Sequence, residues 1–83
     1  MARFYFHLHE CGHVVSDEDG IERADLDGVR SAAVVAARDI MCSEIRKGKL
    51  CLSCHIEVCD EHDVSVMVVR FSDAVAVTGF IPN

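Results

Sequence analysis

Histidine and cysteine are the residues whose chemistry reaches beyond packing, and the chain holds five of each. His7, His9, Cys11 and His13 alternate along one stretch. An extended backbone would send all four to one side, because successive side chains of a strand point to opposite faces. Imidazole and thiolate are the preferred ligands of zinc and similar ions. A zinc-type site would therefore draw on His7, His9, Cys11 and His13, with His55 reaching in from a neighbouring strand about 4.8 Å away. Cys51 and Cys59 share the parity of His55. The spacing matches none of the closed zinc patterns, so a second reading stands beside the first: polar residues tolerated on a half-exposed strand.

Cys51-Leu52-Ser53-Cys54-His55 fits the C-x-x-C-H run of c-type haem attachment. If residues 50–59 form a strand, Cys51 and Cys54 point to opposite faces and cannot share one ligand, so covalent haem is not expected. Cys11 between His9 and His13 has the makings of an activated thiol. No nucleophile-elbow or phosphate-loop pattern accompanies it, and an 83-residue chain has little room for a deep pocket. No enzyme activity is expected. Asp17-Glu18-Asp19-Gly20 invites a calcium reading, but Val15 and Leu26 occupy the first and last ligand positions of an EF-hand loop.

One helix must position these groups. Over residues 25–47, Leu26, Val29, Ala33, Ala36 and Ile40 fall on one face at about 100° per residue. Asp25 is placed to cap the start, and Gly48 to take the left-handed position after the end. A second apolar flank, Val34, Met41 and Ile45, either widens the core stripe or touches a second subunit.

Alternation predicts strands at residues 3–9, 13–15, 50–59 and 64–71. The predicted fold is α+β, one domain over residues 1–83, in the order β-β-α-β-β. A helix of about 22 residues makes one traverse of roughly 33 Å, which returns the third strand beside the first. The result is a four-stranded antiparallel sheet of order 2-1-3-4 with the helix on one face. The last strand is apolar on both sides, with Met67, Val69 and Phe71 toward the helix and Val64, Val66 and Val68 away from it. A strand apolar on both sides is usually covered on both sides. Residues 72–83 are open between a helical turn and a short strand around 73–77, with Phe80 and Ile81 expected to dock.

The net charge is −6, with 14 acidic against 8 basic residues, and Arg30, Arg38 and Arg46 spiral about 80° apart around the helix. Nucleic-acid binding needs clustered positive charge and is not expected. No apolar leader segment follows Met1-Ala2-Arg3, and no run is long enough to cross a bilayer. A soluble cytoplasmic protein with reduced thiols is expected.

The opening Arg3-Phe4-Tyr5-Phe6-His7, the turn Asp17-Glu18-Asp19-Gly20-Ile21-Glu22, Asp25-Leu26 and the helical Ala37-Arg38-Asp39 carry a resemblance. Together they resemble a family of small alphaproteobacterial, largely rhizobial, proteins of unknown function over roughly residues 3–73. The resemblance implies a small α+β domain and no catalytic residue. The cysteines and most of the histidines stand outside its pattern.

Two functions follow as expectations. The first is a non-catalytic module without a cofactor, acting by self-association as a homodimer through Val64, Val66 and Val68, or by binding a partner. The second is a small zinc-binding or metal-sensing protein using the histidines and cysteines of the open sheet face.

Overall fold

The alternation of Phe4, Phe6 and Leu8 with Arg3, Tyr5 and His7 becomes β1 (Ala2–Glu10), the strand around which the sheet is built. The computed structural model describes residues 1–79. After β1 come β2 (His13–Val15), β3 (Ile21–Arg23), α1 (Leu26–Arg46), β4 (His55–Cys59), β5 (Ser65–Arg70) and α2 (Phe71–Ala74). The sheet has five strands in the order β2-β1-β4-β5, with β3 also paired to β1, and every pairing is antiparallel. The predicted fold class and the predicted neighbours of the first strand are therefore present. β3 is the additional strand.

β2 and β3 share the edge of β1 that faces away from β4, and the acidic turn between them interrupts that edge. Asp17 fills the gap. Its Oδ2 accepts the Phe6 amide at 3.0 Å, and its Oδ1 accepts the Asp19 and Gly20 amides at 3.1 Å each. Gly20 has φ +70°, and a Cβ there would stand 2.8 Å from the Phe4 carbonyl oxygen. Arg3 closes the far end, donating to Asp19 O and to Glu22 Oε1 at 2.8 Å each. The Arg3, His7, Asp17, Gly20 and Glu22 signature is thus one hydrogen-bonded edge.

α1 starts and stops as its sequence predicts. Asp25 Oδ1 accepts from the Gly28 amide at 2.8 Å, Lys47 is the C-cap, and Gly48 follows at φ +86°. The buried stripe is rotated from the expected one. It consists of Val29, Ala33, Ala37 and Met41, while Leu26 is 52% exposed and Ala36 and Ile40 only border the core. The reason is α2, which the alternation of 64–71 concealed. It lies against α1, with Arg38 Nε donating to Ala74 O at 2.7 Å. Phe71 and Ala74 enter the core beside Phe4, Ile56, Val58 and Val69. Met41, a candidate interface residue, is 3% exposed and belongs to that core. The helix at Phe71–Ala74 takes in only Asp73 and Ala74 of the 73–77 stretch, residues 75–77 are neither helix nor strand, and Phe80 and Ile81 lie outside the described residues.

Two further departures bear on the site. The third expected strand begins at His55, not at residue 50, because residues 51–54 carry the chain from the helix layer to the sheet as a bent loop. Cys54 O accepts from the Phe71 amide at 3.0 Å, which ties that loop to α2. In β5 the register shifts: Val58 faces Met67, but Cys59 faces Ser65. Val66 is the extra residue, and it packs against the core cluster instead of the open face. A bulge reverses the alternation beyond it.

Candidate functional site

The five histidine and cysteine positions expected to share one face divide into two groups. The turn at Cys11-Gly12 is the cause. It pairs Glu10 with His13 and Leu8 with Val15, so His13 projects with Glu10 and Leu8 on the helix side. His7 and His9 stay on the opposite face, where the register sets them beside Glu57 and His55.

On that open face the side chains are engaged with one another. The rings of His9 and His55 stack with centroids 4.5 Å apart and planes 11° from parallel. His9 Nε2 lies 3.1 Å from Glu57 Oε1. The His9 hydrogen bond, helped by Ser65, holds the Glu57 carboxyl below its usual range. His7, Cys59 and Asp63 bring ligand-type atoms within 4.8 Å of one another. That trio is poorly suited to a cation. His7 Nδ1 already accepts the Asp17 amide at 3.1 Å, and a neutral imidazole has only one such lone pair. Burial, then the charges of Glu57, Asp63 and Asp60, push the Cys59 thiol up and keep it protonated.

The other group forms at the end of the molecule where the β1–β2 turn meets the 51–54 loop. The sulfurs of Cys11, Cys51 and Cys54 lie within 4.8 Å of one another. Cys11 and Cys51 are 3.6 Å apart, and Cys51 Sγ is 3.3 Å from Ser53 Oγ. The strand-based objection to Cys51 and Cys54 sharing a ligand therefore falls. In the loop their thiols turn the same way.

The electrostatics are those of a shared charge. The Ser53 hydroxyl, then the Cys54 thiol, the Ser53 amide and Cys11, donate toward Cys51 and bring its pKa down to about 6. Burial and the neighbouring Cys51 push Cys54 up to about 12. At neutral pH Cys51 is the thiolate and Cys54 the thiol beside it.

A cleft of about 280 Å³ opens over these sulfurs. Ile40, Met41 and Phe71 supply its apolar wall, and Glu10, His13, Glu44 and Lys49 its polar one. His13 Nε2 is 3.0 Å from Glu10 Oε2. Glu44 Oε2 is buried without a hydrogen bond, and the Lys49 ammonium 3.3 Å away offers charge without bond alignment.

Of the sequence-derived metal candidates, Cys11, His13 and, by strand parity, Cys51 border this cleft. His7, His9 and His55 do not. Cys54 and Glu44 were absent from the zinc reading of the sequence, in which Cys51 stood only by strand parity. The C-x-x-C spacing did raise both loop cysteines, and the expected strand over 50–59 set them apart.

The fold and the cleft define a small α+β domain with a thiol-rich pocket at one end of an antiparallel sheet. Residues 3–72 match a domain of unknown function, DUF6894, and the chain belongs to that family. It matches no curated protein and no solved structure. Among the described residues, no helix is long and apolar enough to cross a membrane.

Proposed function

We propose that this domain binds a soft metal ion of the zinc type through Cys11, Cys51 and Cys54, and that it acts by binding and not by catalysis. One observation carries the reading. Two segments far apart in sequence bring three sulfurs within 4.8 Å of one another. Thiolate is the ligand such ions prefer, and a cation would replace the donors that now satisfy Cys51. The position of the group adds support. The β1–β2 turn and the 51–54 loop that carry the three sulfurs lie apart from the β1 edge built from Arg3, His7, Asp17, Gly20 and Glu22. Competition against a chromophoric chelator is the test. Serine at Cys11, Cys51 or Cys54 should weaken zinc binding, whereas serine at the exposed helical Cys42 should not. Equal affinity in all four variants would defeat the proposal.

A second reading, self-association as a homodimer, keeps one supporting observation. Val64 and Val68 are both at least half exposed at the β5 end of the sheet. Val34 borders the core and Ile45 is exposed on α1, so neither extends that patch into a continuous surface on the sheet.

A further inference from the structure

We infer that His13 completes the cysteine site as its fourth ligand, with Glu10 as the positioning residue behind it, giving a closed three-cysteine, one-histidine zinc centre. The inference rests on the metal reading above and adds to it the coordination number and the ion.

Tetrahedral zinc wants four protein ligands when its role is structural. Three sulfurs leave one place. Three side chains on the cleft wall could take it, His13, Glu10 and Glu44. His13 is two residues from Cys11 across the hairpin turn and directly opposite Glu10 in the ladder. Its Nε2 faces Glu10 Oε2 at 3.0 Å, so Nε2–H donates to the carboxylate and the ring's lone pair is left on Nδ1. Ligating histidines characteristically hand their second nitrogen to a carboxylate in this way, which fixes the tautomer and raises the basicity of the ligating atom. The sulfurs group without the His13 nitrogens, so the ring has to turn toward them; the His13 side chain is 62% exposed and Glu10 31%, so packing leaves the pair free to turn together.

Charge separates the imidazole from the two carboxylates. Zinc with three thiolates carries one net negative charge. Neutral imidazole leaves that unchanged, whereas a glutamate would add a second negative charge beside the apolar wall of Ile40, Met41 and Phe71. Glu44 also has the Lys49 ammonium next to it, which compensates its charge without a metal. The Lys49 cation at the rim then faces an anionic centre, as electrostatics favours.

Cobalt(II) titration of the reduced full-length chain tests the assignment, because cobalt reports thiolate ligation and geometry separately. The wild type should show thiolate-to-cobalt charge transfer and the intense visible bands of a tetrahedral site. His13→Ala should keep the charge transfer, shift the visible bands and lose about a hundredfold in affinity, with Glu10→Gln losing about tenfold. Glu44→Gln should bind as the wild type does. His13→Ala with wild-type bands and affinity would overturn the inference, and so would Glu44→Gln behaving as predicted for His13→Ala. Absence of thiolate charge transfer in the wild type would instead defeat the underlying cysteine reading. Far-UV circular dichroism confirms that each variant is folded.

Discussion

The Asp17 carboxylate stands where a strand would place a carbonyl, accepting the Phe6 amide at 3.0 Å in the gap between β2 and β3. Burial alone would raise its pKa, but the amides of Phe6, Gly20 and Asp19 outweigh that and hold it below the usual value of 3.8. The folded value is the depressed one. The stabilisation is therefore complete above the unfolded pKa and is lost as pH falls through the folded one. Urea unfolding as a function of pH should show an acid limb that Asp17→Asn flattens. At neutral pH, Asp17→Ala should cost about 1.5–3 kcal/mol, the range for hydrogen bonds to a charged acceptor. An unchanged acid limb in Asp17→Asn would contradict this account of the edge.

Gly20 is required twice over, by its φ of +70° and by the 2.8 Å approach of the Phe4 carbonyl to any Cβ. Gly20→Ala should destabilise by about 1–3 kcal/mol, the cost of strained backbone. Thermal unfolding measures it. A variant as stable as the wild type would show that the turn relaxes freely.

Val66 and Val68 should respond oppositely to charge. Val66 is packed on the core through the bulge, so Val66→Asp should cost about 1–3 kcal/mol. Val68 is 50% exposed, so Val68→Asp should stay within about 0.5 kcal/mol of the wild type. If the chain is a homodimer through this end of the sheet, light scattering should show Val68→Asp with more monomer. A wild type already monomeric at micromolar concentration excludes that mode of association.

Cys51 should be the reactive thiol of the metal-free protein. The Ser53 hydroxyl leads the set of donors that bring it to about 6, so its iodoacetamide rate should rise with pH through a midpoint near that value. Cys54, buried and raised, should stay unreacted at neutral pH. Ser53→Ala should move the Cys51 midpoint upward. A wild-type midpoint at the ordinary thiol value of 9.0 would contradict the shared-charge picture.

Much of the fold was legible because local signals agree with one another. Asp25, the Val29–Ala33 spacing and Gly48 each mark the same helix, and the alternation in β1 places the central strand. The errors came where a single residue reverses parity. The Cys11-Gly12 turn puts His13 on the helix side, and the bulge at Val66 removes it from the open face. Strand alternation has a period of two, so one slipped residue flips every side chain beyond it. The pattern of residues alone does not announce the slip. The cysteine site was obscured for a related reason. Leu52 and Cys54 alternate with Cys51 and Ser53 as a strand would, yet this segment has to step between layers and bends instead. Val64, Val66 and Val68 read as one apolar face by the same reasoning, and Val66 leaves it, while His7, His9 and His55 hold the open face as their alternation predicts.

Native mass spectrometry of the reduced chain with one equivalent of zinc tests the central claim most directly, since it counts ions per chain. The wild type should carry one zinc ion, and the Cys11→Ser, Cys51→Ser, Cys54→Ser triple variant none under the same conditions. A wild type that takes up no zinc, or a triple variant that keeps it, would contradict the assignment of this cleft as a metal centre.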